Sequence, residues 1–282
     1  MDYEKIRQWV FPDIERAYTE RDTMLYALGL GLGGQPTDDF ELRFVTEGRL
    51  ETLPTMAAVV GRNAPWLAQV GVKVTDAVHG EQRMIFHRPL PAEGTVRVRS
   101  RIGGVVDKGP GRGALIHVEQ EIADATSGTV ACTATQTAFI RGAGGFGGPS
   151  GPSPAPHTMP PRPPDIVDDF TTLAQSALLY RLSGDRNPLH SEPDVARAAG
   201  FPRPILHGLA TYGIVGWRII RALAGGDPRR LAALDTRFSA PVLPGETLRT
   251  ELWRDGGTVS FQTRVAERDI LALSNGRAVV RD

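Results

Sequence analysis

The chain repeats itself. Phe86-His87-Arg88-Pro89-Leu90-Pro91-Ala92-Glu93-Gly94-Thr95-Val96 resembles Phe238-Ser239-Ala240-Pro241-Val242-Leu243-Pro244-Gly245-Glu246-Thr247-Leu248, and each runs on into an alternating, strand-like stretch. Met24-Leu25-Tyr26-Ala27-Leu28-Gly29 likewise resembles Leu178-Leu179-Tyr180-Arg181-Leu182-Ser183, and Leu53-Pro54-Thr55-Met56 stands where Leu206-His207-Gly208-Leu209 would stand. The three offsets are 152, 154 and 153 residues. A register this constant, kept three times in the same order, marks a duplicated unit.

Between the copies, residues 142–164 read GAGGFGGPSGPSPAPHTMPPRPP, too poor in apolar residues for a core and too rich in Gly and Pro for regular elements. This stretch is expected to be a linker, giving a first unit at 1–141 and a second at 165–282. Each unit opens with a short helical segment, continues into a longer helix and ends in several strands. In the second, residues 205–224 are apolar all round, as suits a helix buried against a sheet. The following strands are expected at 236–238, 247–253, 258–266 and 270–280, with a turn at Asp255-Gly256-Gly257; in the first unit they fall at 83–86, 95–103, 114–123 and 129–140. One helix followed by mostly antiparallel strands, twice, indicates an α+β fold.

Charge narrows the partners. Lys plus Arg and Asp plus Glu stand at 32 each, so no net basic field draws nucleic acid or an anionic membrane. A single cysteine, Cys132, excludes an internal disulfide framework and any zinc site built on cysteine pairs, and fits a reducing compartment. The start Met1-Asp2-Tyr3-Glu4-Lys5 has no apolar core behind a basic cluster, and no run of about 18 apolar residues occurs, so a cytoplasmic protein without membrane insertion is expected.

Chemistry concentrates in Ser183-Gly184-Asp185-Arg186-Asn187-Pro188-Leu189-His190. Gly184 and Pro188 hold this segment out of regular helix, and a carboxylate, an amide and an imidazole fall within six residues. Asp185 and His190 can grip one water between them, one taking its proton while the other serves the second carbon of a reacting bond. Asn187 can orient without changing charge. By itself Asp-x-Asn-Pro is an ordinary turn and helix cap. The repeat adds weight: Gly31 stands at the position of Asp185 and His190 has no counterpart, so the ionisable set is expected in the second unit alone. His207-Gly208 then opens the buried helix, where unpaired N–H groups can meet a developing oxyanion and Gly lets a ligand approach; the same Gly also serves close helix packing. Gly29-Leu30-Gly31-Leu32-Gly33-Gly34 follows a helical pattern rather than a strand, the wrong context for a dinucleotide loop. GxxxxGK[ST], HExxH, CxxC and GxSxG are all lacking. No cofactor and no metal is expected, although Asp185, His190 and His207 make a metal site conceivable.

Tyr180 to His190, then Ala199-Gly200-Phe201 and Ile205-Leu206-His207-Gly208, resemble the hydratase 2 motif of the MaoC-like (R)-specific enoyl-CoA hydratases. In the first unit Leu25-Tyr26-Ala27-Leu28-Gly29, Leu53-Pro54-Thr55, His79-Gly80-Glu81-Gln82 and Asp107-Lys108-Gly109 resemble the amino-terminal half of the double hot-dog members. The resemblance implies a double hot-dog: two helices, each wrapped by a curved antiparallel sheet, with the sheets joined into one. It also implies reversible addition of water to a trans-2-enoyl-CoA, giving the (3R)-3-hydroxyacyl-CoA. Asp185 and His190 match the catalytic pair, Asn187 the residue that arranges water and substrate, and Gly208 the backbone donor to the thioester carbonyl. Contacts to the CoA thioester fall on His79, Gly80, Lys108, Asp185, Arg186, Asn187, Pro188, Leu189, His190, Gly208 and Phe238. Many relatives follow His-Gly-Leu with Cys where this chain has Ala210, a small neighbour that touches no proposed role. A homodimer is expected by the same analogy. Three readings stay open: dehydration of a 3-hydroxyacyl thioester on CoA or acyl carrier protein, a silent acyl-thioester binding subunit, and a metal-dependent hydrolase.

Overall fold

The computed structural model describes residues 1–63, 65–151 and 155–282. Their strands form one ten-stranded sheet, antiparallel at every pairing. The first half supplies β1 (Ile14–Tyr18), β2 (Ala77–Phe86), β3 (Gly94–Asp107), β4 (Ala114–Asp124) and β5 (Val130–Ile140). The second supplies β6 (Ile166–Thr171), β7 (Leu231–Phe238), β8 (Thr247–Asp255), β9 (Thr258–Val265) and β10 (Ile270–Val280). Across the sheet the order is β1-β3-β4-β5-β2-β7-β10-β9-β8-β6. With β6 to β10 taken in chain order as the copies of β1 to β5, the sequence of strands reads the same from both edges. The seam is the antiparallel pair β2–β7, where Arg83 faces Asp235, residues related by the first of the internal offsets. The duplication has therefore produced a pseudo-twofold molecule, the double hot-dog.

Two strands lie outside the expected set. β1 and β6 are short edge strands ahead of the opening helices, and five or six alternating residues carry little periodic signal. β2 begins at Ala77 rather than at residue 83, since its early part contains a bulge between His79 and Glu81 that reads as a turn.

The expectation of a wrapped helix in each half needs correction. The second half has one, Gly208–Leu223, with Tyr212, Ile214, Val215, Trp217, Ile219 and Ile220 all buried. Left-handed Gly225 and Gly226 end it, and the Gly226 N–H returns to the Ile220 carbonyl. In the first half the same position holds a 3-10 turn, Pro54–Met56, and a single helical turn, Ala57–Val60. Gly61 comes after it, and the ring of Pro65 would clash with the Gly61 carbonyl in any helix continuing through it. The long helix therefore serves both halves. Its Gly213 meets Tyr26 and Leu30, where an added Cβ would lie 2.8 Å from the Tyr26 hydroxyl and from Leu30 Cδ1; at Gly216 it would lie 2.8 Å from Thr55 Cγ2. Arg221 of the same helix pairs with Asp38 at 2.6 Å and Glu41 at 3.3 Å.

The described part of 142–164 has no helix or strand, but it is tied down along its length. Gly145 and Gly147 N–H groups donate to the Asp107 carboxylate at 2.7 and 2.9 Å, and the His157 imidazole meets Ser260 Oγ at 2.7 Å. Positions 152–154 of the expected linker lie outside the described residues. Among the described residues, no helix is long and apolar enough to cross a membrane.

Candidate active site

The opening helix of the second half, Ser176–Tyr180, passes into a 3-10 turn that ends at left-handed Gly184, φ +118°. That turn swings the chain so that Asp185 leaves the helical path. Asp185 Oδ1 accepts the Asn187 N–H at 3.2 Å, and Asn187 Oδ1 accepts the Leu189 N–H at 3.1 Å, capping the turn Pro188–His190. The segment is thus a turn and a cap, and that same geometry aims its side chains. Asn187 keeps its amide NH2 for other work, since only its oxygen is used by the cap.

His190 is 8% exposed and His207 is 2% exposed. Their rings stack at 3.7 Å, and the Tyr180 ring lies 4.9 Å from that of His207. His190 Nδ1 lies 2.9 Å from the Ile205 carbonyl, so this nitrogen carries the proton and Nε2 is left with its lone pair. His207 Nε2 lies 3.0 Å from the Asp185 carbonyl and donates to it. The Asp185 carboxylate, His190 and His207 each bring one donor atom within 4.8 Å of the others. That closeness suits a metal ion as well as proton transfer, but the carboxylate already carries a cation: Arg62 Nη1 stands 2.7 Å from Asp185 Oδ2.

Burial works to raise the Asp185 carboxyl, but Arg62, His207 and the Asn187 N–H outweigh it and hold the group below its ordinary value. Burial lowers the His190 imidazole from its usual 6.5. At neutral pH the pair is a carboxylate beside a neutral imidazole. Burial, joined by the neighbouring His190, takes His207 down to about 3, and burial takes His79 down to about 4.

Gly208 is the first residue of the long helix. Ala210 and Thr211 turn their N–H groups back to the His207 carbonyl, while the Gly208 N–H has no acceptor among the described residues. A Cβ on Gly208 would lie 3.2 Å from the Phe238 ring, and that ring packs on His79 at 4.6 Å. Asp185, Asn187, His190, Gly208, Phe238 and His79 are therefore gathered around one place, with Gly80 in the β2 bulge beside it. Lys108 is exposed in the β3–β4 turn, and its N–H bonds the Gly113 carbonyl. Arg186 is exposed next to the pair.

The ionisable set expected in the second half alone has a partner from the first, Arg62, which no reading of the sequence singled out. Nothing in the sequence could pair it with Asp185, because the two lie on opposite sides of the linker and meet only across the seam. The one local hint is that Gly61-Arg62 comes directly after the short apolar run Ala57–Val60.

Two family models divide the chain between them. The MFE-2 hydratase 2 N-terminal domain matches residues 17–142 and the MaoC like domain matches residues 157–275. The chain is 42% identical over 259 residues to 3-hydroxyacyl-thioester dehydratase Y of Mycobacterium tuberculosis, covering 89% of this chain and 88% of that one. It is 39% identical over 281 residues to the peroxisomal enoyl-CoA hydratase 2 of Arabidopsis thaliana, covering 93% and 90%. Among solved structures, a MaoC-like dehydratase from Phytophthora capsici superposes with a TM-score of 0.88 at 31% identity over 100% of both chains. With both halves of the pseudo-twofold matched in order, and relatives aligned along nearly all of its length, this chain belongs to the MaoC-like dehydratase and hydratase 2 family of hydro-lyases.

Proposed function

We propose that this chain adds water reversibly across the double bond of a trans-2-enoyl-CoA to give the (3R)-3-hydroxyacyl-CoA. The observation that carries the reading is the Asp185 carboxylate and neutral His190 held together beside the free Gly208 N–H. The two relatives above are named for the two directions of one reaction, which agrees with a site built on a reversible proton transfer.

In this reading the thioester carbonyl accepts the Gly208 N–H at the helix start, where the dipole favours the enolate oxygen. Water lies between Asp185 and His190. Its oxygen attacks C3 as one of its protons passes to the pair, and the C2–C3 π electrons move onto the thioester as an enolate. The pair begins with no mobile proton, so the proton taken from water is the one returned to C2, and the site ends as it began. Dehydration runs the same steps backwards. Asn187, with its free NH2, orients the water, and Phe238 and His79 wall the thioester. Residues 165–282 carry the chemistry, and residues 1–141 shape the space for substrate. Lys108 and Arg186, both exposed, are suited to phosphates at the rim.

The test is direct. Purified protein with crotonyl-CoA and longer enoyl-CoA esters should bleach the conjugated thioester absorbance, and chiral analysis should return the (3R) alcohol. Binding of these esters with no turnover at any length would instead make the chain an acyl-thioester binding subunit; a (3S) product would overturn the stereochemistry.

A further inference from the structure

The first half carries a charge that the chemistry of the second half uses. Arg62 stands just past the short helix Ala57–Val60, and its guanidinium reaches across the seam to the Asp185 carboxylate at 2.7 Å. The loop that presents it is fixed from three strands of the first half. From β1, Arg16 donates to the carbonyls of Val59 at 2.9 Å, Val60 at 3.0 Å and Arg62 at 2.8 Å. From β4, Gln120 donates to the Gly61 carbonyl at 2.8 Å, and from β3 Ser100 donates to Asn63 Oδ1 at 3.0 Å. Gly61 itself has no room for a side chain, since a Cβ would lie 2.8 Å from the Ala57 carbonyl and 2.9 Å from Ile122 Cγ1. A mere surface ion pair has no need of such a mount.

We propose that Arg62 is a positioning residue for the hydration reaction, the counter-ion that fixes the Asp185 carboxylate, with Arg16 holding the loop that presents it. The inference rests on the function proposed above. Around Asp185 stand Arg62 and His79 from the first half and Tyr180, His190 and His207 from the second. Arg62 is the one strong cation among them at neutral pH, because the three imidazoles are held neutral by burial. It lowers both Asp185 and His190, so its loss moves both in the same direction, upward. The truncated helix of the first half then has a use: by stopping at Val60 it leaves residue 62 free to face the other half.

The experiment compares Arg62→Gln, Arg62→Lys and the parent enzyme in kcat/KM against pH, with thermal melting as a check on folding. In Arg62→Gln the acid limb should move up by about one to two pH units, with losses of about tenfold or more at the acid end that shrink as pH rises. Arg62→Lys should return the limb toward its parent position. An unmoved limb, or a loss by the same factor at every pH, overturns the proposal. If Arg62→Gln does not fold, Arg16→Gln takes its place, with a smaller movement in the same direction expected and an unmoved limb again fatal. NMR titration of the His190 ring gives a readout that needs no turnover: its midpoint should rise in Arg62→Gln. Thus a parent enzyme inert toward every enoyl-CoA sinks the hydratase reading, whereas an unmoved ring titration sinks the role of Arg62.

Discussion

Residues 54–60 and 206–223 occupy the same place in two copies of one unit, and they differ in length and in use. The second copy has no proline inside its helix, buries it on nearly every side and opens it at Gly208 beside the catalytic candidates. The first copy stops after a 3-10 turn and one helical turn, and gives way to a rigidly mounted arginine. Duplication supplied two equivalent sites. The copies now differ, with the ionisable set in the second alone, while the sheet seam keeps the first half within reach of it. A half lacking the motif can still reach the site, because the seam brings Arg62 and His79 of the first half against Asp185 and Phe238 of the second.

The sharpest way to break the contrast is at the ionisable pair itself. Asp185→Asn and His190→Ala should each lower kcat/KM by about 10²–10⁴, the range for losing a general acid or base. Either variant keeping full activity would end the proposed division of labour.

Next comes the packing that joins the halves. Gly216→Leu forces a side chain into Thr55 of the first half, and overpacking of this kind costs about 1–3 kcal/mol. Chemical denaturation should show the loss; an unchanged midpoint would mean the halves are not pressed together along the long helix.

Acid should strike the seam. His79, His190 and His207 are buried with lowered values in the folded chain, about 4 for His79 and about 3 for His207. In the unfolded chain all three titrate near the ordinary 6.5, so between there and the folded values the unfolded state binds more protons. Stability is therefore complete above about pH 6.5 and falls as pH drops through the folded values. Melting curves across this window should show the decline, and His207→Gln should flatten it. A melting temperature level from pH 7.5 to 4.5 would contradict the burial argument.

The smallest effect separates two tyrosines that the duplication makes equivalent. Tyr26 and Tyr180 lie with rings 5.9 Å apart near the pseudo-twofold axis. Tyr26 donates to Thr55 Oγ1 at 3.0 Å, whereas the Tyr180 hydroxyl is buried with no protein partner among the described residues. Tyr26→Phe should cost about 1 kcal/mol and Tyr180→Phe should cost less or stabilise slightly. Equal costs would mean that the two copies have not diverged here.

By itself the sequence determined the duplication, the α+β class, the strands from residue 94 to 140 and from 247 to 280, and the cluster Asp185, Asn187, His190. All of these rest on local information: a repeated register, a period of two, a glycine and a proline that break a helix. Gly208 at the head of the buried helix was legible in the same way, and the resemblance added the double hot-dog and the contacts of His79 and Phe238. Only the tertiary structure decided the rest of the site. The order of strands across the seam brings β2 against β7, which sets His79 on Phe238 and Arg62 on Asp185. The sequence is silent on these pairs because contact across a sheet depends on strand order and register, which no short window of residues contains. The shortened first helix was half legible: its residues before Gly61 are as apolar as those of its long copy, but Gly61 and Pro65 are local helix breakers. Gly61 and Pro65 end the first helix, and the core it would have filled is occupied by the long helix of the other half.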